Sequence, residues 1–330
     1  MASSKPAPKP DVSVLVLGYN NLGYLAECLS SILAQRGAEF EVLYIDNASS
    51  DGSADFVKTN FPQVRVVSSP SNTGYAGGND FGAESALGRY LLIVNPDTVA
   101  QADWLSNLVK FADEKKAAGF DVVACSKVLL ADRPQIVNSV GLFMSAWGFS
   151  GSVGDGESAD AYSQELELLA PTGCSFLISR EVFENLGGFD KSFFMYDEDL
   201  DLGWRAANRG ISTWMVPSSI ILHKYKPFPG RPFPYYQTAR NRLWTVRKNE
   251  KGIRKFWLMG ACTLFSLALA FGMLLKLRPA VSWAILRGIL PGLLTPVQID
   301  EHAGGAGRKK VLGCRATWPI FWKKLGKHSK

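Results

Sequence analysis

Four carboxylates fall within five positions, Asp197, Glu198, Asp199 and Asp201, in the run Phe193-Phe194-Met195-Tyr196-Asp197-Glu198-Asp199-Leu200-Asp201. Large apolar residues precede the run. An amphipathic segment, Leu200 to Arg209, follows it and is stopped by Gly210. A helix dipole favours acids at its N-terminus, and Asp201 with Arg205 is spaced for an i, i+4 pair. Those effects account for Asp197 and Asp201. They account less well for Glu198 and Asp199, which sit between aromatic residues and the helix. A carboxylate at a pocket mouth can act as general base for a hydroxyl.

Three other acceptor-rich segments follow apolar runs. Asp97, with Asn95 two residues before it, can hold Mg²⁺ or Mn²⁺ against a diphosphate, or simply cap the next helix. Asp46 to Ser53 forms a polar turn. In it Asp46 can accept the imide N–H of a pyrimidine base, while Ser50 or Asp51 can cap a helix. Asn72 to Asn79 is a Gly-rich loop that lets backbone approach a phosphate or sugar. It is not GxGxxG and follows the third strand, which counts against a dinucleotide enzyme. His223 ends a strand. Lys224 and Lys226 after it disfavour a protonated ring, and a neutral imidazole is a metal ligand. The basic stretch Lys224 to Lys255, with Arg240 and Arg242, reads as a solvated face or an anion contact.

The elements that position these residues read as strands alternating with helices. Strands are expected at 12–17, 41–45, 64–67, 90–94 and 122–125, with helices at 22–33, 53–60, 78–87 and 102–114. This is a mostly parallel α/β sheet, whose ligands lie beyond the carboxyl ends of the strands. Tyr19, Asn20, Asp46 and Asp97 all stand at such ends. Further on, 148–158 reads as a mobile Gly/Ser loop, and two short strands are expected at 213–216 and 220–222.

Composition is that of a globular chain, with 47% hydrophobic residues, 20% charged residues and a net charge of +6 over 330 residues. The five scattered cysteines form no CxxC pair, which speaks for a reducing compartment without disulfides or zinc. Residues 1–10 read as a disordered lead-in and 11–250 as the catalytic domain. Residues 251–300 read as membrane-associated helices and 301–330 as a basic tail. Trp257 to Leu275 carries no charge, and at about 1.5 Å per residue it approaches the thickness of a bilayer core. A spanning helix, a buried helix and an interfacial hairpin all remain open for it. After Glu301 there is no acid, and eight Lys and Arg with Trp318, Phe321 and Trp322 suit an anionic membrane surface better than nucleic acid.

Taken in order, the segments 12–20, 46–53, 72–79, 95–97, 172–173, 187–190 and 196–202 resemble a family-2 glycosyltransferase of the GT-A fold, rhamnosyltransferase-like or galactofuranosyltransferase-like. The resemblance covers roughly residues 11–245. It implies that Tyr19, Asn20, Asp46 and Asp51 surround the nucleotide of a nucleoside-diphosphate sugar. It implies that Asn72, Gly74, Asn79, Asn95, Thr172 and Gly173 line the donor pocket. Asp97 and His223 match metal ligands, Asp199 the catalytic base and Glu198 its partner, with Arg240 and Arg242 as diphosphate or acceptor contacts. Asn95 replaces the first acid of the DxD motif, leaving fewer anionic ligands for the metal. The implied reaction is a single inverting displacement onto a glycan or polyprenyl-diphosphate-linked acceptor, at the cytoplasmic face of the inner membrane. Two alternatives are a polyprenyl-phosphate glycosyltransferase, whose phosphate acceptor needs little base catalysis, and a catalytically silent sugar-nucleotide-binding membrane protein.

Overall fold

The computed structural model describes residues 9–226 and 230–305. The outer parts of the expected lead-in and basic tail, 1–8 and 306–330, lie outside the described residues. The elements in chain order are β1 (Val12–Gly18), α1 (Leu22–Leu33), β2 (Phe40–Asp46), α2 (Ser53–Asn60), β3 (Arg65–Ser68), α3 (Gly74–Ser85), β4 (Tyr90–Val94), β5 (Thr98–Ala100) and α4 (Trp104–Ala117). There follow β6 (Val122–Leu130), β7 (Arg133–Ser139), β8 (Leu142–Met144), β9 (Ser150–Ser152), β10 (Leu166–Leu168), β11 (Ser175–Ser179), α5 (Arg180–Asn185), α6 (Glu198–Asn208), β12 (Ser212–His223), α7 (Pro232–Asn249), α8 (Gly252–Leu275) and α9 (Pro279–Leu294).

The α/β reading holds. The main sheet runs β10-β12-β6-β11-β4-β1-β2-β3. Strands β3, β2, β1 and β4 are parallel. Val14, Leu15, Val16, Leu43, Ile45 and Leu92 are buried to within 1% of complete, because helices cover both faces of a parallel sheet. Strand β11 enters antiparallel between β4 and β6, with Ser175 opposite Val94. This reversal brings Thr172, Gly173 and Cys174 to the same edge as the carboxyl ends of β1, β2 and β4. Strand β5 pairs antiparallel with the end of β12, setting Thr98 opposite His223.

Several expectations shift. The Gly-rich segment is not a loop before a helix at 78. Its Gly74 opens α3, and only Asn72 and Thr73 precede the helix. The two short strands are one bulged strand, β12, interrupted between Val216 and Ile220. The 148–158 segment contains β9, which forms a hairpin with β8. The basic stretch after His223 contains an eighteen-residue helix, α7.

Helix α7 holds the acidic run in place. Asp201 is fully buried, within hydrogen-bond reach of Arg205 Nε at 2.8 Å, Lys248 Nζ at 3.0 Å and Asn249 Nδ2 at 2.8 Å. Burial opposes its ionisation, but Arg205 and Lys248 outweigh that and hold its carboxyl below the usual range. Lys248 also reaches Asp190 at 2.6 Å, and Arg205 donates to the carbonyls of Leu186 and Gly188. One step N-terminal, Phe194, Tyr196 and Asp197 all have positive φ, at 64°, 71° and 63°. Each such backbone costs about 1–3 kcal/mol unless its surroundings over-determine it. They do: the buried Asn241 amide on α7 lies 3.1, 2.9 and 2.7 Å from the carbonyls of Phe193, Met195 and Tyr196.

Helices α8 and α9 pack on α7. Leu258, Cys262, Ser266, Ala270 and Met273 form the buried stripe of α8. Phe256, Leu264, Phe271, Leu275, Trp283 and Leu290 are each more than 60% exposed. Helix α8 has a mean hydropathy of 2.1 over an 18-residue window and is long and apolar enough to cross a membrane, yet 28% of that window is buried in the protein.

Replacing Asp201 with Asn leaves Arg205 without its buried counter-charge and Lys248 with Asp190 alone. Breaking such a network costs about 3–5 kcal/mol. Urea unfolding of Asp201→Asn is expected to show a lower midpoint at unchanged m-value; an unchanged midpoint would show that the network does not support the fold.

Candidate active site

The site forms along one edge of the sheet. Strands β1, β2 and β4 end there, and β11 begins there. At its centre is Asp199, in the first turn of α6. Its Oδ2 accepts the backbone N–H of Gly173 at 2.7 Å, and its Oδ1 accepts the N–H of Leu200 at 2.9 Å. The carbonyl of Gly173 in turn accepts the Tyr75 hydroxyl at 2.5 Å. A side-chain carbon at Gly173 would lie 2.9 Å from that hydroxyl and 3.1 Å from Asp199 Oδ2, so only glycine allows this approach. Burial pushes the Asp199 carboxyl up to about 6; the Gly173 N–H opposes this and the Asp197 charge adds to it.

Glu198 is 5% exposed, and its Oε2 has no hydrogen-bond partner among the described residues. Burial, with the Asp199 charge next, raises its pKa well above the ordinary value. Asp197 stands at the N-terminus of α6, where the dipole favours an acid, but its side chain makes no capping bond: its Oδ1 accepts from Ser150 Oγ at 3.2 Å, and its Oδ2 is buried without a partner among the described residues. Burial raises its pKa too. Three adjacent acids therefore share one poorly solvated place, and only Asp201 is fully neutralised.

The second pole of the site is Asp97 with His223. Asp97 Oδ2 lies 3.3 Å from His223 Nε2. The other ring nitrogen, Nδ1, lies 2.7 Å from Asn138 Oδ1. With Nδ1–H donated to Asn138, the ring is oriented so that Nε2 faces Asp97, donating a proton to that carboxylate without a metal and free to ligate a cation once that proton is lost. Asp97 Oδ1 is buried and has no hydrogen-bond partner among the described residues. A carboxylate oxygen left unpaired beside an oriented imidazole fits a divalent cation that takes its remaining ligands from phosphate and water. No cluster of three or more His, Cys, Asp or Glu exists among the described residues, so any cation here has two side-chain ligands of that kind at most. The lysines after His223 do not depress its protonation as expected. Lys224 pairs with Glu27 and Lys226 lies over the Tyr24 ring. Burial lowers the His223 pKa, but Cys174 and Asp97 beside it outweigh this and raise it to about 11. A metal binding here displaces that proton.

Cys174 joins the two poles. Its carbonyl accepts the Asn95 N–H at 3.0 Å, and it directly follows Gly173, which holds Asp199. Thr172, 8% exposed, lies in the same turn.

The remaining candidates form a third group at the ends of β1 and β2. Tyr19 is 48% exposed, and Asn20 Oδ1 accepts the Ser50 N–H. Asp46 is buried and accepts the Ser49 N–H at 3.1 Å. Both carboxylate oxygens of Asp51 are engaged, by the N–H groups of Leu22 and Ser53. Asn72 accepts the Gly74 N–H at 2.9 Å, while Gly74, at φ +74°, lies against the Phe194 carbonyl, which a Cβ would overlap. Asn79 is fully buried inside α3, with Nδ2 on the Tyr75 carbonyl. Arg240 is held by the Phe193 carbonyl and the Trp244 ring, and Arg242 by Ser150 and the Phe265 ring.

Four contributors were not singled out in the sequence. Asn47 binds Asn72, Thr73 and Gly74 at once, and Tyr75, Asn138 and Asn241 position Gly173, His223 and the acidic run. Asn47 and Tyr75 lie inside segments already flagged. Nothing local marks Asn138 or Asn241. A cleft of about 800 Å³ lies behind the 187–190 turn, but its charged groups are already paired: Asp190 with Lys248, Arg205 with Asp201 and Asp300 with Arg209.

Comparison with known proteins places this geometry. The glycosyl transferase family 2 model matches residues 13–187, over half the chain, ending before the acidic run. The chain is 27% identical over 251 residues to the N-acetylglucosaminyl-diphospho-decaprenol L-rhamnosyltransferase of Mycobacterium tuberculosis, covering 66% of this chain and 77% of the relative. It is 28% identical over 227 residues to the O-antigen biosynthesis protein RfbC of Myxococcus xanthus, covering 65% of this chain. The chain spans only 17% of that protein's length and 32% of a succinoglycan biosynthesis protein, ExoO, of Rhizobium meliloti. Among solved structures, GalNAc-T7 with UDP, GalNAc and Mn²⁺ superposes with a TM-score of 0.62 at 17% identity, over 84% of this chain and 54% of the other. The mannosyltransferase PcManGT of Pyrobaculum calidifontis gives 0.53 at 19% identity, over 88% and 89%. At these identities the structures show a shared GT-A fold. The family match covers the parallel half of the sheet and the Gly-rich start of α3, and on that ground the chain belongs to glycosyl transferase family 2.

Proposed function

We propose that this protein is an inverting glycosyltransferase that moves a sugar from a nucleoside diphosphate to a hydroxyl of a glycan or lipid-linked glycan, in cell-envelope polysaccharide synthesis. The observation that carries the reading is that two poles meet at the same end of the sheet: a proton acceptor of raised pKa, Asp199, and an oriented Asp97–His223 pair, joined through Gly173 and Cys174. The likeness to a rhamnosyltransferase acting on a decaprenyl-linked sugar supports dTDP-rhamnose, with UDP-sugars next, as donor.

Asp199 takes the proton from the acceptor hydroxyl. The hydroxyl oxygen bonds to the anomeric carbon as the bond to the diphosphate oxygen breaks, and its electron pair leaves with the nucleoside diphosphate. The Gly173 N–H fixes the carboxylate, and Tyr75 fixes Gly173. Glu198 shares the site's charge and keeps the proton affinity of the pair high. Asp97 and His223 would hold Mg²⁺ or Mn²⁺, which supplies positive charge to the departing diphosphate. Tyr19, Asn20 and Asp46, at the ends of β1 and β2, face the nucleotide in this reading. Asp51 acts through the turn it caps. The proposed location is the cytoplasmic face of the inner membrane, supported by the exposed apolar flank of α8 and α9.

Asp199→Asn is expected to lower kcat by about 10²–10⁴-fold while nucleoside diphosphate affinity, read by calorimetry, stays within twofold. Normal turnover in this variant would instead favour a phosphate acceptor, which needs little base catalysis.

The pH dependence follows from the pKa of about 6 at Asp199. The base is active as the carboxylate, so kcat/KM is expected to fall about tenfold per unit below that pH. For stability the sign is the opposite. A carboxyl raised in the folded state costs nothing below its unfolded value, and its penalty is complete once pH rises above about 6. Asp199→Asn is therefore expected to raise the melting temperature at pH 8 and leave it unchanged near pH 4. A destabilised variant at pH 8 would show that the carboxylate is held by contacts stronger than its burial penalty.

A further inference from the structure

A second cavity, of about 350 Å³, lies between α7, α8 and the β8–β9 hairpin. That is the size of a small-molecule pocket. Phe149, Phe265, Leu269, Gly272, Met273 and Ile285 make most of its wall, and the Phe149 and Phe265 rings stack at 5.7 Å. It has a charged group at each end. Lys276, in the first position after α8, stands at one. Arg242, 6% exposed, stands at the other. Arg242 Nε donates to Ser150 Oγ at 3.1 Å, and Ser150 Oγ donates to Asp197 at 3.2 Å. Asp197 immediately precedes Glu198 and Asp199. The inner end of the cavity is thus two side-chain hydrogen bonds from the acidic run.

The other end runs out along α8. Ala268, on the cavity wall, is exposed, and Leu267, Phe271, Leu274 and Leu275 beside it are 44–68% exposed. A contiguous apolar flank of this kind marks a surface that meets another apolar phase. The hairpin that walls the cavity is seated on α8: Gly148 abuts Cys262 where a Cβ would overlap its backbone, and Trp257 Nε1 donates to the Ala146 carbonyl at 3.1 Å. Helix α8 therefore lies along the catalytic domain, with one side on the protein and the other outward.

We propose that this cavity binds the hydrocarbon chain of an anionic lipid carrier, an isoprenoid phosphate or diphosphate, to which the acceptor sugar is attached. The chain enters from the outer flank of α8 and its charged linkage passes Arg242 toward Asp199. This rests on the glycosyltransferase reading and specifies its acceptor. An apolar wall alone would take any oily group. The cation at its inner end, beside the catalytic acids, selects an amphiphile whose anionic end points into the site.

The test uses the purified full chain in detergent with a benzophenone-bearing C15 isoprenyl phosphate, photolysed and mapped by peptide mass spectrometry. Label is expected in 234–242 and 265–276. Gly272 has open space where its Cβ would be, so Gly272→Phe fills the cavity without a backbone clash. That variant is expected to lose at least tenfold of the label and keep its nucleoside diphosphate affinity. Ala268→Trp, at the exposed mouth, gives the same readout should the first variant fail to fold. Equal labelling of the filled variants, label confined elsewhere, or equal competition by phosphatidylglycerol would each overturn the proposal. Loss of nucleotide binding or transfer in the wild type would count against the glycosyltransferase reading and leave the cavity result standing on its own.

Discussion

Asp201 is a charge taken wholly out of water, and it stays ionised because Arg205, Lys248 and Asn249 surround it. Isolated, a carboxylate in that place would take up a proton. The cations that prevent this come from two helices, α6 and α7, so the charge also welds them together. Arg205 extends the weld to the carbonyls of Leu186 and Gly188, and Lys248 extends it to Asp190. The Gly-Gly-Phe-Asp turn, the acidic run and α7 thereby become one body. Glu198 and Asp199 sit within one turn of this anchor.

That anchor lets the preceding residues be strained. Phe194, Tyr196 and Asp197 adopt positive φ, which a chain held only by local contacts would not keep. Asn241 gathers the carbonyls of Phe193, Met195 and Tyr196 on one amide, and Gly74 lies against the Phe194 carbonyl on the other side. The outcome is a carboxylate delivered to the Gly173 N–H from a helix start that has little solvent around it. Raised pKa values at Asp197, Glu198 and Asp199 are the electrostatic consequence. For the proposed proton transfer, a carboxylate of raised pKa is better matched to a hydroxyl proton than an ordinary aspartate.

The same helix couples chemistry to surface. Arg242 lies one residue beyond Asn241 on α7, and it faces the cavity under the β8–β9 hairpin while Asn241 faces the acidic run. Arg247, further along, donates to the carbonyls of Gly292 and Thr295 at the end of α9. Basic residues that read as a solvated face in the linear chain are therefore divided among an ion-pair core, a helix cap and a cavity wall. Few of them are left for bulk anion binding.

The parallel half of the fold and the residues at its strand ends are legible in the linear chain. Tyr90 to Val94 is apolar throughout and Val12 to Leu17 is apolar but for Ser13, and the turns after them carry acceptors. Both properties are local, so periodicity and composition reveal them. The pairing of Asp201 with Arg205 was legible for the same reason, since four residues on a helix are neighbours. Tertiary structure decided the rest. Asp97 meets His223 only because β5 pairs with the end of β12, and Asp199 meets Gly173 only because β11 runs against its neighbours. Asn138 and Asn241 carry no local mark, because an amide becomes a clamp only when distant carbonyls are brought to it. Whether a charge such as Asp197 is solvated or stranded is set by what packs over it. That packing comes from Ser150 and Arg242, far along the chain, and no spacing within the acidic run encodes it.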